Sequence, residues 1–125
     1  MTVRKSSTAL AALALTAGLA AAATQADAHA AFVSATPAAN ATVAAPKQIT
    51  VRLSEKLAPK FSSFDLMKTD GSKVPVKAAV APKDKKTLVA AVPATLAPGT
   101  YRVMWHAVAA DDGHPSKGDF NFTVR

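Results

Sequence analysis

The chain has 125 residues, with 15 Lys and Arg against 8 Asp and Glu, a formal charge of +7, three histidines and no cysteine. The lack of cysteine excludes a disulfide framework and any thiolate metal site, so stability has to come from packing, alone or with a ligand. The positive charge invites nucleic acid as a partner. However, the lysines are scattered from Lys47 to Lys117 with no aromatic platform between them, which marks a solvated surface and argues for no nucleic-acid binding.

Taken in chain order, Arg4 and Lys5 form a positive start, an Ala/Leu-rich run covers Thr8 to Ala23, and Ala26-Asp27-Ala28 is an A-x-A box. These features predict a cleaved signal peptide over 1–28 and an exported product that begins at His29. The apolar run, about 16 residues and mostly Ala, is short for a bilayer span of about 20. No later stretch is apolar enough to insert, so no direct membrane insertion is expected after cleavage. Losing Arg4, Lys5 and Asp27 with the leader leaves 97 residues with 13 basic and 7 acidic side chains. That length suits one domain, 29–125, with one modest core.

Beyond the leader, Ile49, Val51 and Leu53 alternate with Thr50, Arg52 and Ser54, the period of a half-buried strand. Phe64 to Met67 and Leu88 to Val92 are shorter or more continuous apolar runs. Tyr101, Val103 and Trp105 alternate again, as do Phe120, Phe122 and Val124. Turn signals separate them at Thr36-Pro37, Ala45-Pro46, Asp70-Gly71, Pro98-Gly99 and Asp112-Gly113. Ala78 to Lys86 reads as a polar, Pro-containing loop. Short strands at close spacing without a long amphipathic helix predict an all-β fold, a small Greek-key β-sandwich. Trp105, Tyr101, Phe120 and Phe122 are expected in its core.

No Gly-rich phosphate loop, nucleophile motif or carboxylate pair stands out, which leaves the histidines. Cleavage before His29 would free its α-amine, whose ordinary pKa of about 7.7 to 8.0 lets a metal displace the proton near neutral pH. Amine and ring Nδ1 together can then chelate one ion, as an internal histidine cannot. Asp112-x-His114 places a carboxylate and an imidazole two residues apart in a polar turn. Three nitrogens and a carboxylate form a tetragonal set that suits Cu(II) better than Zn(II), Mg(II) or Ca(II). His106 has no partner at ligand spacing and reads as a surface residue. A cut after Ala26 would instead leave His29 in third place, where a histidine binds Cu(II) through backbone amides.

The chain after the leader resembles the CopC family of periplasmic copper-binding proteins. The resemblance rests on His29-Ala30, Ser34-Ala35-Thr36-Pro37-Ala38 and Val51-Arg52-Leu53-Ser54-Glu55. It continues through Leu96 to Trp105, Asp112-Gly113-His114-Pro115 and Gly118 to Val124. It implies a cupredoxin-like or immunoglobulin-like sandwich holding one Cu(II) per mature chain through His29, Asp112 and His114. It also implies a CopD-like inner-membrane protein as partner, and a role in copper homeostasis or resistance. Glu55, at the family's Ser-Glu position, reads as an outer-shell or weak ligand, or as an exposed strand-end charge. Many members have five residues between the Trp and the Asp-Gly-His turn, whereas six separate Trp105 from Asp112, which makes Asp111 a rival carboxylate. Met67 and Met104 read as packing or surface residues rather than a Cu(I) site.

The resulting expectation is a non-catalytic copper binder. One alternative is a histidine-brace copper monooxygenase, which needs open copper positions and a substrate surface. The other is a plain structural sandwich domain.

Overall fold

The computed structural model describes residues 29–125. The predicted signal peptide, 1–28, therefore lies outside the described residues. Nine strands follow in order: β1 (Phe32–Thr36), β2 (Thr42–Val43), β3 (Gln48–Leu53), β4 (Ser63–Lys68), β5 (Lys73–Val74), β6 (Ala79–Ala81), β7 (Asp84–Ala91), β8 (Gly99–Val108) and β9 (Pro115–Val124). One 3-10 turn, Pro59–Phe61, precedes β4. The strands form two sheets, β1-β3-β7-β6 and β2-β9-β8-β4-β5. The expected all-β sandwich is what the chain adopts.

The alternations seen in the sequence are the inner faces of these sheets. Ile49, Val51 and Leu53 on β3 and Leu88 on β7 are fully buried on one side, as are Phe64, Leu66, Val103 and Phe122 on the other. A side chain of this kind, buried completely, contributes about 1.5–3 kcal/mol. Tyr101 stacks on Phe122 with ring centroids 5.7 Å apart. Its hydroxyl donates to the Ala97 carbonyl at 2.7 Å, so the polar end is satisfied inside the core.

The expected loop from Ala78 to Lys86 is instead a hairpin, with β6 and the start of β7 inside it. Its turn is organised by Asp84, whose carboxylate accepts from the Lys86 N–H, the Thr87 hydroxyl and Arg52 Nη1. Three residues of Ala and Val are too few to show a period of two, and the pairing partner across the turn supplies what the sequence pattern could not.

Trp105 and Gly118 lie opposite one another on β8 and β9. A Cβ at position 118 would sit 2.6 Å from the indole Cζ2, so the glycine is the space the ring occupies. Gly118→Ala should push the indole out of place and lower stability by roughly 1–3 kcal/mol, as overpacking does. A denaturant midpoint equal to that of the wild type would show that the ring accommodates the methyl group.

Candidate functional site

The two longest strands, β8 and β9, pair in register from Gly99↔Val124 to Val108↔Pro115, and the residues between them form the turn. Of the six residues separating Trp105 from Asp112, His106 to Val108 complete β8. The chain then turns: the Gly113 N–H donates to the Ala109 carbonyl at 2.9 Å, and the Ala109 N–H donates to the His114 carbonyl at 3.1 Å. Gly113 has φ +72°, the left-handed conformation that glycine adopts without penalty. The turn is also pinned from the side, because Ala110 donates to the Lys56 carbonyl at 2.8 Å.

Within this turn Asp112 serves His114 twice. Its Oδ1 accepts the His114 backbone N–H at 3.1 Å, and its Oδ2 lies 3.3 Å from His114 Nδ1. A proton on Nδ1, donated to that carboxylate, leaves the Nε2 lone pair as the basic position of the ring. Asp111, the rival carboxylate, is an exposed neighbour in the same turn.

His29 arrives from the other sheet. Ala30 is buried, and its carbonyl accepts from the Ser116 hydroxyl at 2.7 Å. Ala31 donates to Ser54 Oγ at 2.8 Å and accepts from the Ser54 N–H at 2.9 Å. Held at these points, the segment sets the His29 ring edge-on to the His114 ring, with centroids 5.1 Å apart and planes at 76°. The two histidines singled out in the sequence are thus brought together, with Asp112 bonded to His114. Glu55, half-buried, follows directly on Ser54.

Sequence reasoning missed the two serines that build this arrangement. Ser54 stood in the Ser-Glu motif, where attention fell on the more chemically conspicuous Glu55. Ser116 carried no signal, since its role depends on a contact with a residue far away in the chain. Among the described residues, no three His, Asp or Glu side chains are gathered so as to hold a metal by side chains alone.

The other candidates fall where packing or surface exposure explains them. His106 is exposed on β8, with Nδ1 3.2 Å from the Phe61 carbonyl. Met104 is 41% exposed on the same strand. Trp105 and Tyr101 are buried in the core and cannot present a sugar-stacking platform. An open cleft of about 510 Å³ beside Phe32, Trp105, Gly118 and Phe120 has no histidine in its lining.

The His114 N–H bonded to Asp112, followed by its ring, holds the Asp112 carboxyl below its ordinary pKa despite its exposure. A depressed folded-state value means that the contribution of this bond to the turn is complete above the ordinary carboxylate range. It is lost as pH falls through the lower folded value. Carboxyl NMR of the metal-free protein should therefore show Asp112 titrating below the ordinary carboxylate range. Titration within that range would mean that the hydrogen bond does not persist in solution.

Known proteins resemble this chain over most of the described sandwich. The CopC domain profile matches residues 32–125. "Copper resistance protein C" of Escherichia coli is 42% identical over 105 residues, covering 78% of this chain and 82% of the relative. The protein of the same name from Pseudomonas syringae pv. tomato is 41% identical over 106 residues, covering 80% and 83%. The crystal structure of PcoC, described as a methionine-rich copper resistance protein from Escherichia coli, superposes with a TM-score of 0.69 at 39% identity. It covers 78% of this chain and 100% of that one. CopC from Methylosinus trichosporium OB3b gives 0.70 at 32% identity, covering 77% and 93%.

Proposed function

This chain belongs to the CopC family, and on that footing we propose that it is an exported, periplasmic copper-binding protein that holds one Cu(II) per mature chain, 29–125, for sequestration or transfer in copper homeostasis or resistance. The observation that carries the proposal is the meeting of the His29 and His114 rings at 5.1 Å, from opposite ends of the described chain. In this reading signal-peptide cleavage turns the His29 amide into an amine. That supplies the donor the side chains lack and closes a chelate with the His29 ring. His114 adds a second imidazole and Asp112 a carboxylate oxygen.

The donor set fits the ion. Imidazole and amine nitrogens with one oxygen suit Cu(II), which also stands highest among the divalent first-row metals in affinity. Asp112 and the turn around it orient the His114 ring before any ion arrives, which reduces the ordering cost of binding. To ligate directly, the Asp112 carboxylate exchanges its contact with Nδ1 for the metal. Glu55 stands in the outer shell, next to the serine that ties down Ala31. The protein acts as a binder rather than a catalyst, and a CopD-like inner-membrane protein is the recipient or source that family likeness supplies.

Native mass spectrometry of protein exported to a periplasm should give a chain beginning at His29 that retains one copper. A chain beginning at Asp27 or keeping the leader would remove the amine from the site. In the mature protein, His29→Ala and His114→Ala should each weaken Cu(II) binding by about 100-fold or more, beyond the 10- to 100-fold that loss of an outer-shell partner costs. Asp111→Asn should leave affinity within a few-fold, while Asp112→Asn should not. Affinity should also fall steeply between neutral pH and about pH 4, as protons compete for amine and imidazoles. Wild-type affinity in either histidine variant would refute the ligand set.

A further inference from the structure

The two histidines rest on unequal supports. His114 belongs to the turn that closes the β8–β9 ladder, and that turn is tied back by Ala110 on the Lys56 carbonyl and by the bridge between Leu57 and Ala109. His29 instead heads an arm that leads into β1, an edge strand with β3 as its neighbour. Of residues 29–36, Ala30 alone is buried. The Phe32 ring leans on Phe120 with centroids 5.5 Å apart yet stays 39% exposed, and Val33 is 54% exposed. The register with β3 also breaks between Phe32 and Ser34. This bulge separates the arm, 29–33, from the regular pairing of Ser34, Ala35 and Thr36 with Arg52, Val51 and Thr50.

One small buried side chain and two serines fasten this arm. Ser116 Oγ donates to the Ala30 carbonyl on one side, while on the other Ser54 Oγ accepts the Ala31 N–H and the Ser54 N–H donates to the Ala31 carbonyl. A segment on a sheet edge with so little buried apolar surface opens locally at a much lower free energy than the core. We propose that residues 29–33 form a latch on the copper site, with Ser54 and Ser116 as the positioning residues that set how often it lifts. The inference rests on the copper reading above. The amine and ring of His29 move with the arm, whereas His114 and Asp112 stay with the ladder. Lifting therefore withdraws both nitrogens of His29 at once and leaves the ion open to a ligand from a recipient. Because the same serine bonds hold the arm with and without the ion, they govern the rates of capture and release more than the affinity.

The test uses the exported protein, metal-free and with one equivalent of Cu(II). In the metal-free form, Ser116→Ala should speed amide exchange at Ala31 and Ser54 by about 3- to 10-fold, the worth of one hydrogen bond. The substitution leaves the bonds of these two amides untouched, so a change there reports the arm lifting as a unit. Val103, in the core of β8, should exchange as in wild type, and Ser116→Thr should restore the wild-type rates at Ala31 and Ser54. Cu(II) should slow exchange at both, since an ion bound to the arm holds it closed. Copper release to a chelator, measured where the rate no longer depends on chelator concentration, should rise about 3- to 10-fold in Ser116→Ala and in Ser54→Ala. Affinity should change by less than about threefold, since the bonds are present in both forms. Unchanged exchange at Ala31 and Ser54, equal acceleration at Val103, or an affinity that falls as much as the release rate rises would overturn the latch. Failure of the copper reading would appear separately, as wild-type copper affinity in His114→Ala.

Discussion

The ladder between β8 and β9 is the constraint on which the rest of the molecule depends. Ten consecutive residue pairs fix Tyr101, Val103, Trp105 and Ala107 against Phe122, Phe120, Gly118 and Ser116. A slip of one residue would turn every one of these side chains to the wrong face. The same register that buries the aromatic core also decides where the chain must reverse. Asp112, Gly113 and His114 fall in that reversal, and Gly113 makes it possible by adopting φ +72°.

From the ladder the candidate site follows by short steps. Ser116, near the start of β9, reaches the Ala30 carbonyl, and Ser54, just past the end of β3, holds Ala31 from the other sheet. The first described residues are thus fastened to both sheets. Ala30 is buried as the cost of that fastening, and His29 is left at the surface beside His114. Site and scaffold are coupled, since the interactions that close this end of the sandwich also set the separation of the two rings.

Much of the fold was legible because strands buried on one face alternate visibly. The runs at Ile49 to Leu53, Tyr101 to Trp105 and Phe120 to Val124 all became core strands. The segment from Ala78 to Lys86 did not show itself as a hairpin, because an edge strand of three small residues has no measurable period. Its turn is built by Asp84 reaching to Arg52 on a different strand. Of the candidate site, the Asp112–His114 pair was readable because its two members are close in sequence and act within one turn. Ser54 and Ser116 were not readable as site builders, because a hydroxyl that bonds a distant carbonyl leaves no local trace.

The sequence by itself determined the family, the all-β character and the residue types able to act as donors, since each is written in local composition, spacing or motif. Tertiary structure alone decided that His29 and His114 face one another and that Asp112 rather than Asp111 lies against the His114 ring. These are relations between residues far apart in the chain. They exist only when two sheets pack in one register, and a linear pattern encodes that packing collectively rather than at any single position.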